Sequence, residues 1–375
     1  MLVRKNNLKL YELLFLIAFY MYSITFILFG ASNIGQLFDT SKLTLVSNVI
    51  IISLLVFSFF LKRHKISSWF ISGILILLGV VVYIYTKESP FLFLVLFFVT
   101  AIDKLKESKI LKIDFFIKIF FVLFILILGI LNVIPSISSA RSALLGSGTR
   151  LSFGFTHPNV LGAVFLSLVA EWAYIRKEKV SYIEIILMLF LTVLLNKFVN
   201  PRSAVDVSTI LIFLLFIMKM PTKKMLSSVL HSRAIIFSYI IGFFLSLYSS
   251  INYVGGSNTV WSRLNTLFSG RLDIANFYFT FMNKSWLPQN LPMYEMSGVS
   301  VLDNTYIYIL LHLGILAVIA FLIITLVVGE DLTKYSDDYG IIIFICFSIF
   351  GLMESTAFYP AINIVLIFGR LQEIT

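Results

Sequence analysis

Residues 113–133 read IDFFIKIFFVLFILILGILNV, with Asp114 and Lys118 the only charges in the run. A hydrocarbon layer of about 30 Å takes about 20 apolar residues of α-helix to cross, and this stretch has that length. The same ruler carried outward finds runs near 10–30, 43–61, 67–86, 89–102, 158–175, 181–198, 201–219, 233–251, 302–328 and 340–369. The run at 89–102 is short, and the last is long enough to be tilted, kinked at Pro360 or split in two. Of the 375 residues 59% are hydrophobic and 13% charged, and a soluble domain has too little interior to hide that much apolar surface. The expected fold is an all-α polytopic membrane protein with about eleven (10–12) transmembrane helices. It forms one integral membrane domain over 1–375, with a long external loop at 252–301.

The net charge of +10 does not indicate nucleic acid, because no soluble basic patch with interleaved aromatics is present. The positive residues sit in alternate connections between the apolar runs. Arg4, Lys5 and Lys9 precede the first run, and Lys62, Arg63 and Lys65 follow the second. Lys104, Lys106, Lys109 and Lys112 follow the fourth, Arg176, Lys177 and Lys179 the sixth, and Lys219, Lys223 and Lys224 the eighth. By the positive-inside rule that face, with the N-terminus, is cytoplasmic. The acidic stretch Glu330–Asp338 departs from the pattern. The first run is too long for a signal-peptide core and lacks a small-residue cleavage site, so it is expected to be retained. The lone Cys346 excludes a disulfide framework and a Cys-based metal site.

The opposite face carries the chemistry, in the segments 134–157, 196–203 and 252–301. The last contains Tyr253, Trp261, Trp286 and Tyr294 and is expected to fold over the outer face, since disordered segments are poor in aromatics. Its tryptophans suit either stacking on sugar rings or a small core within the loop. Arg141, Arg150, Arg202, Arg263 and Arg271 all lie on this face, against the orientation signal. A guanidinium offers bidentate donors that fit phosphate and keeps its proton, so the set suits a diphosphate head group. Singly, each also suits a lipid anchor or a loop ion pair. Asp206, four residues after Arg202, shares its helical face and is expected to hold it in place.

His157-Pro158-Asn159 opens the sixth run, with Pro158 fitting a first helical position; His157 is either a cap or a contact for an anionic substrate. Asp303-Asn304 opens the tenth, and Asp303 reads equally as a helix cap or as a general base. Beside arginines its pKa is expected to fall. Glu354 lies within the last apolar run, where a charge is costly and functional by default. Glu171 and Glu184 are expected near interfaces, snorkelling or paired with lysines, and His312 is expected to be a packing residue.

In order, Phe153-Gly154-Phe155-Thr156-His157-Pro158-Asn159 with Leu161-Gly162, Pro201-Arg202-Ser203-Ala204, Ser269-Gly270-Arg271, Asp303-Asn304-Thr305-Tyr306 with Gly314, and Glu354 with Asn363 resemble the Wzy-like O-antigen and capsular-polysaccharide polymerases of bacteria. These belong with the O-antigen ligases. The resemblance covers most of the chain beyond about residue 130. It implies a lipid-carrier-dependent (GT-C-like) glycosyltransferase of the bacterial plasma membrane. Such an enzyme transfers glycan from undecaprenyl diphosphate to another undecaprenyl-diphosphate-linked oligosaccharide, sometimes with a chain-length regulator as partner.

Arg202 and Arg271 match the arginines that the family is thought to use on the diphosphate. Asp303 stands where the ligases carry a His, as it does in many polymerases. Arg202, Arg271 and Asp303 are therefore the catalytic candidates. Arg141, Arg150, His157, Asn159, Arg263, Asn304, Tyr306 and Glu354 are the substrate-binding ones. No cofactor and no metal site are expected, since neither an external Asp-x-Asp nor a His cluster is present. A flippase or exporter of the same lipid-linked glycan is the rival class, although such transporters commonly show internal repeats and none is apparent. A ligase-type transferase is the rival among enzymes.

Overall fold

The computed structural model describes residues 9–101, 107–136, 138–140, 149–220, 230, 233–255, 259–291 and 302–368. Of the residues singled out above, Arg4, Lys5, Lys104, Lys106, Arg141, Lys223, Lys224 and Tyr294 lie outside these. The described chain is almost wholly helical. In order it forms α1 Leu10–Thr25, continued by a wide π turn at Phe26–Gly30, then α2 Ser41–Leu61, α3 Ile66–Thr86, α4 Pro90–Thr100 and α5 Glu107–Ile130. A short antiparallel ribbon, β1 Ser138–Ala140 with β2 Thr149–Leu151, precedes α6 Pro158–Arg176, α7 Tyr182–Phe198 and α8 Arg202–Met218. Next come α9 Ser238–Asn252, α10 Val260–Leu267, α11 Arg271–Phe281 and α12 Thr305–Tyr308. The described residues end with α13 Ile315–Lys334, α14 Asp338–Gly351 and α15 Val365–Phe368.

Among the described residues seven helices are long and apolar enough to cross a bilayer, as expected of a multi-pass membrane protein. Two further apolar helices, α4 and α14, are shorter, with 11 and 14 residues. Many helices turn bare apolar side chains outward, such as Phe60, Phe70, Phe120, Ile183 and Phe244, while a single core of Phe, Leu and Ile fills the interior. That inside-out distribution suits lipid as the surrounding solvent.

Helix ends alternate between two faces. On one, Asn33 Nδ2 after α1 donates to the carbonyls of Pro135 and Phe155 at 2.7 and 2.9 Å, joining the α1, α5 and α6 termini. On the other, Tyr174 Oη and Lys177 Nζ at the end of α6 reach Asp337 Oδ2 before α14 at 2.5 and 3.2 Å. The acidic stretch at 330–338 thus meets basic residues of α6's end. Glu184 is bound at the same face: it completes a capping box with Ser181 and pairs with Arg176 at 2.9 Å.

The tenth expected span is corrected, and the last is split, one of the outcomes its length allowed. The run at 302–328 is broken at Gly314, whose φ of 93° is a left-handed value that favours glycine. A Cβ there would also lie 2.7 Å from the Leu287 carbonyl carbon. The run at 340–369 leaves the helix at Gly351, well before Pro360, and continues as an extended residue, a short 3-10 turn at Ser355–Phe358 and α15. Periodicity does not reveal the break at Gly314, because the residues on both sides remain apolar.

Candidate functional site

The break after α14 puts Glu354 in an extended conformation, at φ −142° and ψ 133°, inside the bundle. Its carbonyl accepts from Thr305 Oγ1 at 2.6 Å, which ties the break to the start of α12. Its carboxylate faces α8 and α11. Ser203 Oγ donates to Glu354 Oε1, and Arg271 Nη2 meets the same oxygen at 2.7 Å. Arg271 Nη2 also lies 3.3 Å from Asp303 Oδ2. One guanidinium therefore holds two carboxylates together, from two segments about fifty residues apart in sequence. Arg271 is 9% exposed, and its buried Nε has no hydrogen-bond partner among the described residues.

Local sequence aims each of these side chains. Asn265 Oδ1 accepts the backbone N–H groups of Leu272 and Asp273, both at 3.1 Å, and so caps α11 from across the turn. That fixes Arg271 at the first position of α11, pointing inward. At α12 the N-cap is Asn304, whose Oδ1 accepts from Tyr306 N and Ile307 N at 3.0 Å each. Asn304 Nδ2 is engaged by Ser246 Oγ and the Leu352 carbonyl at 3.0 and 3.1 Å. The cap is thus Asn304, and Asp303 is released to face Arg271.

The α6 and α8 entrances come together because Gly162 packs on Pro201 and Ala204; a Cβ at 162 would lie 2.5 Å from Pro201 Cβ. His157, the α6 cap, accepts the Asn159 N–H on Nδ1 at 3.1 Å. Asn159 Oδ1 accepts from Arg150 Nη2, so the ribbon leans on the α6 entrance. Arg202 opens α8, and it and Arg271 both act electrostatically on Asp206. Arg150 acts in the same way on Asp303 and His157.

Arg150, His157, Asn159, Arg202, Arg271, Asp303 and Glu354 therefore gather on one face. Three expected residues do not join them as ligand contacts. Arg263 is exposed on α10 and has no ion-pair partner among the described residues. Asn304 is spent on the cap. Tyr306 is 1% exposed, donates to the Ser348 carbonyl at 2.8 Å and packs where Gly242 and Gly351 leave room. Of the tryptophans, Trp261 packs near Tyr248 and Tyr253, and Trp286 is exposed.

The electrostatics differ from expectation at Asp303. Burial, reinforced by the Glu354 carboxylate, outweighs Arg271 and Arg150 and raises the Asp303 carboxyl above the usual carboxylate range. The positive neighbours alone suggested the opposite sign. Partial desolvation, then Arg150 and Arg271, push His157 down to about 4, so it meets the site as a neutral ring. With Arg150, Arg202 and Arg271 against Asp206, Asp303 and Glu354, three charges of each sign are present. A proton on Asp303 leaves the cluster with a surplus positive charge.

A second buried network lies deeper. Lys118 Nζ is 3.0 Å from Asp114, donates to Glu171 and to the Ala361 carbonyl at 2.8 Å, and all three side chains are at most 1% exposed. Glu171 is thus fully buried and paired with a lysine. His312 is buried, hydrogen-bonded through Nδ1 to the Gln289 carbonyl at 2.9 Å, with its Nε2 3.6 Å from Glu88 Oε1. Ser203 and Asn265 had no assigned role in the sequence reading. Ser203 follows directly from the buried side of α8, while Asn265 acts across a turn and has no local signature. Comparison of the chain with protein-family models, curated proteins and solved structures finds no match.

Proposed function

We propose that this chain is a glycosyltransferase that polymerises undecaprenyl-diphosphate-linked oligosaccharide repeat units into a surface polysaccharide, capsular, O-antigen or exopolysaccharide. It does so at the external face of the bacterial plasma membrane. In this reading about eleven segments enter the membrane, the N-terminus is cytoplasmic and the 252–301 loop is external. The observation that carries it is Arg271, buried between Glu354 and Asp303, next to the α6 and α8 entrances.

Such a site offers both halves of a displacement at an anomeric carbon. Arginines stabilise the negative charge that a departing diphosphate gains in the transition state. Asp303, 24% exposed and raised towards neutral range, is positioned to take the proton of an attacking sugar hydroxyl. The hydroxyl oxygen forms the new bond to the anomeric carbon, and the bond to the diphosphate oxygen breaks with its electron pair. The proton passes to Asp303 and the anomeric centre inverts. Glu354 and Ser203 position Arg271. An apolar cavity of about 260 Å³, lined by Trp261, Phe268, Leu272 and Leu352 among others, adjoins Asn304 and suits part of a prenyl chain.

The test is glycan length in cells carrying Asp303→Asn or Arg271→Ala, with membrane levels of the protein followed in parallel. The expected result is normal protein with glycan stalled at a single lipid-linked repeat displayed outside. Single repeats accumulating on the cytoplasmic side would make the protein a transporter, and unchanged polymer would remove these residues from the chemistry.

A further inference from the structure

On the face opposite the charged cluster, the 11-residue α4 stops short. At 1.5 Å per residue it covers about 16 Å, roughly half of a hydrocarbon layer of about 30 Å. Below its end lies a cavity of about 550 Å³, within the range typical of small-molecule sites. Its walls are apolar and come from three helices: Ile71 and Leu75 of α3, Phe98 and Val99 of α4, and Ile323 and Val327 of α13. Ser68 and Ser72 of α3 add two hydroxyls. Its rim is the connection from α2 to α3, where Lys62, Arg63, His64 and Lys65 follow one another, and among the described residues no carboxylate lines the space.

These four bases are used unequally. Lys62 Nζ donates to the Ala101 carbonyl at 2.5 Å, answering one of the carbonyls left open where α4 ends. His64 is held by the Phe59 carbonyl at 3.0 Å and packs against Phe59 and Trp69. Arg63 and Lys65 are exposed and have no ion-pair partner among the described residues. On α3 and α13 the cavity walls continue into bare apolar surface, at Phe70, Ile74, Ile319 and Ile323. An occupant therefore arrives sideways from the bilayer, with an apolar body and an anionic head.

We propose that this cavity is a binding site for one anionic phospholipid, its phosphate held by Arg63 and Lys65 and an acyl chain seated between α3 and α13 beneath the end of α4. A zwitterionic lipid fits the walls equally well but lacks the net charge that the rim complements. A soluble phosphate complements the rim but leaves the walls bare. The site is independent of the proposed polymerase chemistry.

The test uses the full chain purified in detergent. Phosphatidylglycerol and phosphatidylcholine of the same acyl composition compete for it, with bound lipid read by native mass spectrometry and the melting midpoint followed in parallel. Each basic contact near a membrane surface corresponds to about a fivefold effect, so a preference for phosphatidylglycerol of roughly thirtyfold is expected. The double variant Arg63→Gln/Lys65→Gln is expected to bring the preference near one with an unchanged lipid-free midpoint. Ser72→Phe, which fills the cavity and keeps the charges, is expected to remove the bound lipid. Equal retention of phosphatidylcholine, an equal midpoint shift from inorganic phosphate alone, or an undiminished preference in both variants would overturn the proposal. If Ser72→Phe lowers the lipid-free midpoint, Ser68→Leu, a smaller intrusion into the same space, replaces it with the same expected loss.

Discussion

Arg271 is the residue whose removal separates an electrostatic clamp from a decorative ion pair. Arg271→Met keeps the apolar stem of the side chain but leaves Glu354, 4% exposed, and Asp303 facing each other without their cation. Removing one partner of a buried pair costs about 3–5 kcal/mol, most of it the uncompensated charge that stays behind. Glu354→Gln is milder: Arg271 keeps Asp303 at 3.3 Å, and Ser203 can still meet the amide, so about 1–3 kcal/mol is expected. The double variant Arg271→Met/Glu354→Gln removes the more deeply buried carboxylate together with its cation and leaves only Asp303, 24% exposed, without Arg271, which costs less than leaving both carboxylates behind. The cycle should therefore show coupling of about 2–3 kcal/mol, with the double variant more stable than Arg271→Met alone. The assay is denaturant or thermal unfolding of the purified protein in detergent, with transfer activity measured on the same samples. Polymerisation should be lost in both variants that lack Arg271, whatever their stability. Additive destabilisation, or a double variant less stable than Arg271→Met, would refute the clamp.

Two further outcomes follow from the same geometry. Because Asp303 acts as a base only when ionised, transfer should rise with pH through its raised pKa. Glu354→Gln removes the neighbouring negative charge, so the acidic limb of residual activity should move to lower pH; an unmoved limb would break the link between the two carboxylates. Lys118→Met should destabilise the protein by about 3–5 kcal/mol, since Asp114 and Glu171 lose the cation they share; Lys118→Met with both carboxylates changed to amides should recover much of this, as read by melting midpoints.

Each of the first nine apolar runs holds a helix, and six of these are long and apolar enough to cross a bilayer, a length that composition alone makes legible. α2 and α3 fill the runs expected at 43–61 and 67–86 to within two residues. What was not legible depends on partners distant in sequence. Asp303 and Asn304 are adjacent and both are good caps, so only the hydrogen bonds from Tyr306 and Ile307 to Asn304 decide between them. The sign of the Asp303 shift was missed for a related reason. Arg271 and Arg150 were visible as charges, but the approach of Glu354, fifty-one residues later, and the depth of burial were not. Arg202 and Asp206, by contrast, needed nothing beyond helical spacing.

The two broken helices are also what make a charged site tolerable within an apolar bundle. Where a helix stops among apolar neighbours, its open carbonyls need donors from side chains, because no water can supply them in lipid. Around Gly314, Gln289 Nε2 reaches the Leu311 carbonyl at 2.8 Å and Gln289 N the His312 carbonyl at 3.0 Å. After α14, Thr305 serves the Glu354 carbonyl and Asn363 Nδ2 the Ala357 carbonyl at 2.7 Å. Lys118 serves the Ala361 carbonyl from the far side of the bundle. A lysine in that position is stable only with carboxylates beside it, which accounts for Asp114 and Glu171 at full burial. The deep ionic network thus holds open the non-helical segment that presents Glu354, and a loss at Lys118 should be felt at Arg271 as well as in overall stability.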